Sequence, residues 1–355
     1  MTTTPAILTV DLGAVVANWR ALHRLDGVTV AGVVKADGYG LGAGPVASAL
    51  YHAGCRQFFV AWLQEALAIR TLVPEASVAV LGGVVPGSEG AFVAADVTPV
   101  LGSLDEVDRW RRLGQGRPWI LHVDTGMSRL GLAFREMVTL AEDPGRLGTL
   151  PICLMSHLVS SEVPEDPLNR MQLERFIAAR RMLPAMPASL ANSSGIFLGA
   201  DFGFDLVRPG AALYGINPTP GLANPMRPVA RLSVRVLSVR EIPAGDSVGY
   251  NATWVAGRPS RIATAALGYA DGFLRTLSGR AVASFDGIPV PLVGRVSMDL
   301  TTFDVTDVPS VQPGSWLDVL GAGCTADDLA EAAGTNGYEI LTSLGPRYQR
   351  VYLPA

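Results

Sequence analysis

Lysine is almost missing from this chain. Of its 28 Lys and Arg residues, one is a lysine, Lys35, and 27 are arginines. Ala, Gly, Val and Leu are abundant, so a coding bias that replaces lysine by arginine wherever only charge matters explains the trend. A lysine that survives such a bias points to chemistry: arginine can replace a surface cation, but a Schiff base needs a primary amine. Cysteine is also scarce. Cys55, Cys153 and Cys324 are odd in number and far apart, which excludes a disulfide framework and a CxxC metal site. No metal site is expected. Charged residues make up 17% and the net charge is −4, which argues against a general nucleic-acid binder. No apolar run approaches the ~18–20 residues of a membrane span. The start, MTTTPAILTVDLGAVVANWR, lacks a basic segment leading into an apolar one, so no signal peptide is read and a cytoplasmic protein is expected.

An apolar fraction of 49% over 355 residues is enough for a large core. At about 150 residues per domain, the length suggests two domains, or one barrel with an addition. From residue 28 to 214, short β-branched runs alternate with helical patterns. The predicted strands are Val28–Val34, Phe58–Ala61, Val78–Leu81, Val97–Val100, Trp119–Val123, Ile152–Ser156, Ser189–Ala191 and Leu206–Arg208. Patterns such as Gly44–His52, Leu63–Leu72, Leu104–Leu113, Arg135–Ala141 and Leu173–Met182 read as helices between them. The fold class is α/β: a (β/α)8 TIM-type barrel over residues 11–218. A doubly wound sheet is the alternative, but no GxGxxG follows the first strand.

Residues 219–227 are rich in Pro, Gly and Asn and read as a linker. From 228 to 355 the spacing predicts a mainly-β domain, with strands at Ala230–Ile242, Arg261–Ala266, Arg280–Phe285, Pro289–Val293, Thr301–Val305 and Ser315–Leu320. One helix, Asp327–Ala333, interrupts it, with Thr325 as N-cap. Residues 1–10 carry a strand, Ala6–Val10, suited to pair with this second domain.

Lys35 lies in VVKADGYGLG at the C-terminal end of the first barrel strand, where barrels concentrate catalytic groups. The run VAGVV before it predicts burial, and a buried lone amine is expensive. Tyr39 follows four residues on. Other strand ends contribute His122, Asp124 and Arg129 (HVDTGMSRLG), His157 (MSHL), Asn192 and Ser193 (ANSSG), and Arg208 and Gly210 (VRPGAALYG). The loops after strands seven and eight often hold phosphate in barrels, and here they bring Ser193 beside the backbone N–H groups near Gly210. Each of these residues alone has an ordinary structural reading: Asp124 and Asp271 suit turns or helix caps, Met298 suits a core, and Tyr250 and Tyr269 suit amphipathic packing. Their convergence on one barrel face favours function. A lysine, a phosphate cradle and a histidine at one mouth suggest pyridoxal phosphate.

With those motifs in view, the sequence resembles the alanine racemases along nearly its whole length. VVKADGYG, HVDTGMSRLG, RPGAALYG, VGYNATW, GYADG and GRVSMD carry the resemblance together. It implies that Lys35 bonds covalently to pyridoxal phosphate and serves as one of two bases. Tyr250 would be the opposite base, contributed by the second subunit of a homodimer. Tyr39, Ser193, Gly210, Ala211 and Tyr338 would hold the phosphate, with Asn192 beside them. His157 would lie near the cofactor ring, and Arg208 would contact its pyridine nitrogen. Arg129 and the backbone at Met298 would bind the substrate carboxylate. Tyr269 would line a narrow entrance, near Arg275, Arg295 and Asp299. The implied substrate is alanine, and the implied role is supply of D-alanine for peptidoglycan precursors.

Two bases on opposite faces of Cα invert it without turning the substrate over. An arginine stays charged and donates, so it suits an unprotonated ring nitrogen. A free tyrosine has a pKa of about 10, and cationic neighbours, His157 and Arg208, are expected to favour its phenolate. Many members of the family carry, in place of His122, a lysine modified to a carbamate that braces the neighbouring arginine. This chain has no second lysine, so a water, an anion such as chloride, or a carboxylate is expected to support Arg129 instead. Three alternatives stay open: a racemase of other or broader substrate range, a decarboxylase of basic amino acids (disfavoured by Arg208), and a non-catalytic carrier of the cofactor.

Overall fold

The computed structural model describes residues 4–355. Seven parallel strands follow one another around the barrel in sequence order: β3 (Gly32–Val33), β4 (Gln57–Val60), β5 (Ser77–Val80), β6 (Thr98–Leu101), β7 (Ile120–His122), β8 (Cys153–Met155) and β9 (Ala188–Ser189). Two further strands, β2 (Thr29–Val30) and β10 (Leu206–Val207), pair in parallel and close the ring. The Asp205 N–H donates to the Ala188 carbonyl at 3.0 Å and the Arg208 N–H to the Ala191 carbonyl at 3.0 Å, joining β10 to β9. Intervening helices, among them Ala43–His52, Leu63–Arg70, Leu104–Leu113, Phe134–Glu142 and Pro167–Met182, cover the strands, which therefore read as short continuous apolar runs.

The single strand expected over Val28–Val34 is split. Thr29 and Val30 bond to β10, Gly32 and Val33 to β4, and the Ala31 N–H still reaches the Val207 carbonyl at 3.0 Å. The barrel closes here, so one segment serves two neighbours. A Cβ on Gly32 would sit 3.0 Å from Leu50, which shows how tightly this corner packs. The helix expected from Leu173 starts earlier, at Pro167, with the Asp166 carboxylate accepting from the Leu168 N–H and proline in the first turn.

The second region is a mainly antiparallel sheet. Its long strand β11 (Ala230–Ile242) pairs with β1 (Ala6–Asp11), with β14 (Ser260–Ala265) and with β18 (Trp316–Leu320). A strand that the pattern reading passed over, β19 (Gln349–Leu353), runs parallel to β1 at the edge. The helix Ala326–Ala333 is capped by Thr325, whose hydroxyl accepts from the Asp328 N–H at 3.1 Å. The segment before β11 is tied to the barrel by Asn18, whose side chain accepts from the Arg227 N–H at 2.7 Å and donates to the Arg227 carbonyl at 2.9 Å. Among the described residues no helix is long and apolar enough to cross a membrane.

Candidate active site

The C-terminal ends of the barrel strands surround a cavity of about 480 Å³. Lys35, Tyr39, His157, Asn192, Ser193, Arg208, Gly210, Ala211 and Tyr338 all line it. They come from four strand ends and from the helix Gly337–Thr342 of the second region, an element that the sequence pattern did not reveal. A larger open groove of about 870 Å³ lies elsewhere, along helices Leu12–Ala21 and Ala43–His52. Arg20, His52 and Arg227 are its charged or titratable side chains, and no cluster of reactive groups lines it.

Lys35 enters the cavity from a turn of unusual backbone. Ala36, Asp37, Gly38, Tyr39 and Gly40 all have positive φ, between 52° and 81°, one turn of left-handed helix. Side-chain-bearing residues rarely adopt this, at a cost of about 1–2 kcal/mol each. The turn is braced by the Asp37 carboxylate, which accepts from the Ala43 N–H at 2.8 Å, and by Arg350, which donates to the Gly40 carbonyl at 3.0 Å. Burial, then the nearby Arg129 charge, lowers the Lys35 pKa from its ordinary value. That shift favours the neutral, nucleophilic amine.

Arg208 is fully buried. Its guanidinium donates to the Ser156 carbonyl at 2.5 Å, the Leu190 carbonyl at 3.4 Å and the Ser189 hydroxyl. These bonds offset part of its desolvation, and burial lowers its pKa only to about 10, so it stays charged at neutral pH. His157 does not join it as a second cation. Burial, with the Arg208 charge next, pushes the His157 pKa down to about 3, so the imidazole is neutral. The expected relay of two cations therefore reduces to Arg208 alone. The loop that carries His157 is held by Gln172, which donates to the His157 carbonyl at 2.9 Å and accepts from the Val159 N–H at 2.8 Å. Gln172 sits on a helix far along the chain, and no local pattern marks it.

The Ser193 hydroxyl accepts from the N–H groups of Gly210 at 3.0 Å and Ala212 at 3.2 Å. A Cβ on Gly210 would lie 2.1 Å from the Tyr39 hydroxyl, so only glycine leaves room here. Tyr39 stacks on Tyr214 with centroids 4.6 Å apart. The Tyr338 hydroxyl donates to the Glu162 carboxylate. Asn192 accepts from the Gly195 N–H at 2.9 Å and the Ser161 hydroxyl at 2.8 Å.

The remaining sequence candidates lie outside the cavity. His122 is buried at the end of β7, neutral, its pKa pushed down to about 4 by burial and Arg208. Arg129 is exposed on the following loop, which the Asp124 carboxylate shapes by accepting from the N–H groups of Gly126, Met127 and Ser128. Tyr250, Tyr269 and Met298 form an exposed set on the second region, at 67%, 43% and 54% exposure. Tyr269 and Met298 are adjacent: the N–H groups of Tyr269 and Ala270 donate to the carbonyls of Ser297 and Met298, both at 3.0 Å. The Tyr250 loop approaches Arg295 through Gly249, while Arg275 is exposed. Arg347 joins Asp299 at 2.8 Å to the buried Asp271 at 2.6 Å, and Asp271 caps its own turn through the Gly268 N–H at 2.8 Å.

The family model described as "Alanine racemase, N-terminal domain" matches residues 10–218, and "Alanine racemase, C-terminal domain" matches 229–352. The chain belongs to the alanine racemase family. It is 54% identical to an alanine racemase of Acidiphilium cryptum over 97% of this chain and 98% of that one. It is 51% identical to one of Methylobacterium nodulans over 98% and 96%. The crystal structure of alanine racemase from Bartonella henselae with covalently bound pyridoxal phosphate superposes with a TM-score of 0.95 at 40% identity, over 99% of this chain and all of that one. Membership of the alanine racemases makes the chain an isomerase that depends on pyridoxal phosphate. The cavity of this racemase fits that cofactor on its own evidence. It offers one half-buried primary amine whose pKa burial lowers, a fully buried cation, and a glycine-floored cradle of hydroxyl and N–H groups.

Proposed function

We propose that this racemase interconverts L- and D-alanine by a two-base mechanism in a homodimer, in the cytoplasm, supplying D-alanine for peptidoglycan precursors. The observation that carries the reading is the placement of the chain's single lysine in one cavity with Arg208 and the Ser193–Gly210–Ala211 cradle. Pyridoxal phosphate, when bound, supplies the electron sink that makes the Cα proton of the substrate removable. Lys35 would hold the cofactor through its amine and, once the substrate's amine has taken its place, would move a proton to or from Cα on one face, a task suited to its lowered pKa. The partner subunit's Tyr250 does the same on the opposite face. Ser193, Gly210, Ala211, Tyr39 and Tyr338 hold the phosphate, with Asn192 supporting their loop. Arg208, being charged, would donate to the cofactor's ring nitrogen and so favour its unprotonated form. The neutral His157 packs near the ring as a hydrogen-bonding group without net charge. Arg129 and the Met298 backbone bind the substrate carboxylate, and Tyr269, Arg275, Arg295 and Asp299 shape the entrance. Beside the neutral His122, a water, chloride or carboxylate braces Arg129.

Exposed apolar side chains on both regions support the homodimer. Trp62, Val85, Phe134 and Val163 stand exposed in the segments that follow four barrel strands, Val85 at 63% and Phe134 at 65%, and Tyr250, Tyr269 and Met298 stand exposed on the second region. Domain division at 219–227 belongs to the same reading. The test is incubation with L-alanine in heavy water, following Cα deuteration by NMR and D-alanine by chiral chromatography. Deuterated D-alanine is the expected product. Deuteration without inversion would remove Tyr250 from its role, and no reaction would remove alanine.

A further inference from the structure

Three helices around the barrel mouth share a device. Each has a glutamate at its third position, and each glutamate grips two loops. Glu65 accepts from the N–H groups of Ala61 at 2.7 Å and Trp62 at 3.2 Å through Oε2, and from that of Ala36 at 2.7 Å through Oε1. Glu106 accepts from Gly102 at 2.9 Å and from Val84 at 3.2 Å. Glu136 accepts from Ala133 at 2.9 Å and from Leu104 at 3.2 Å. In each case one oxygen satisfies the start of the glutamate's own helix, and the other ties that loop to the preceding one around the ring.

The bridge at Glu65 has a consequence that the other two lack. The N–H it grips belongs to the peptide joining Lys35 to Ala36, the first unit of the left-handed turn. Three side-chain-bearing residues, Ala36, Asp37 and Tyr39, hold positive φ there, and such a turn persists only where its surroundings over-determine it. A charge-assisted bond to the entering peptide is the strongest kind available for that purpose. The helix start needs only Oε2, so the reach of Oε1 goes beyond capping.

We infer that Glu65 is a positioning residue for Lys35: its carboxylate clamps the Lys35–Ala36 peptide and thereby aims the amine into the cavity. The inference rests on the proposed role of Lys35 as the lysine that bonds the cofactor. The Glu65 charge also opposes the burial and the Arg129 charge that lower the Lys35 pKa, so it holds the amine in place without making it neutral by itself.

Holoenzyme equilibrated with limiting pyridoxal phosphate is reduced with borohydride, and the fraction of Lys35 carrying a pyridoxyl group is counted by peptide mass spectrometry. Wild type, Glu65→Ala, Glu65→Gln and Glu106→Ala are compared, with melting temperature measured alongside. Labelling of wild type away from Lys35 would overturn the role of Lys35 and, with it, the inference. With Lys35 labelled in wild type, Glu65→Ala is expected to lower occupancy about tenfold and Glu65→Gln, which keeps one acceptor, about threefold. Glu106→Ala, which removes the same bridge elsewhere, is expected to stay within about twofold of wild type. Wild-type occupancy in Glu65→Ala, or an equal loss in Glu106→Ala, would overturn the positioning role. Should Glu65→Ala not fold, wild-type occupancy in Glu65→Gln would do the same.

Discussion

The barrel mouth and the Tyr250 face of this racemase both carry proposed acid–base groups, yet they are built oppositely. At the mouth, Lys35, His157 and Arg208 line one cavity, where burial makes His157 neutral, leaves Arg208 charged and lowers the Lys35 pKa. On the other face, Tyr250, Tyr269 and Met298 stand exposed on short turns and loops, about half or more of each side chain open to water. The first site is thus organised by the chain alone, while the second stands largely uncovered within one chain.

The largest test of that contrast breaks each half separately and then mixes them. Lys35→Ala and Tyr250→Phe are each expected to lower racemisation by about a thousandfold or more. Co-expressed, the two inactive chains are expected to recover about a quarter of wild-type activity, because half of randomly formed dimers hold one intact site of two. Kinetics on the purified mixture checks this, and no recovery would place both residues in sites of the same chain.

Next in size is Arg208→Lys. A lysine has no fork to reach Ser189, Ser156 and the cavity together, so kcat is expected to fall about a hundredfold. Unchanged kcat would remove Arg208 from the chemistry.

A smaller effect concerns pH. The folded-state pKa of His157 is lowered from its ordinary 6.5 to about 3, so the unfolded chain binds the extra proton first. The stability from keeping His157 neutral is fully present above about pH 6.5 and is lost as pH falls from there toward about 3. Between pH 7 and 4 this amounts to about 3 kcal/mol, and His157→Asn is expected to flatten the corresponding fall in melting temperature. An identical pH dependence in the variant would contradict the buried neutral imidazole.

The smallest effect lies on the open face. Arg347 and Asp299 are about half exposed, so Asp299→Asn is expected to change stability by less than about 1 kcal/mol in a thermal melt. A larger loss would mean that this face is already rigid before it is covered.

Much of this was legible along the chain. Alternation of short apolar runs with helical patterns located the barrel strands, because a parallel sheet buried on both faces needs continuous apolar strands. The turn and cap residues Asp124, Asp271 and Thr325 also read correctly, since their turn and cap bonds reach only two to four residues away. The split of the first barrel strand escaped, because closure is decided by two neighbours distant in sequence. The helix Gly337–Thr342, which brings Tyr338 to the cavity, is too short for a periodic signal. The grip of Glu65 on the Lys35 peptide was not legible, because it joins positions 29 residues apart.

By itself, then, the sequence determined which groups were available: one primary amine, no paired cysteines, and the polar residues that end each strand. Only the tertiary structure decided their states. It made His157 neutral, kept Arg208 charged, forced five residues after Lys35 into a left-handed turn, and left Tyr250 uncovered. The physical reason is that residue type fixes intrinsic chemistry, whereas protonation, strain and exposure depend on what the fold places around each group.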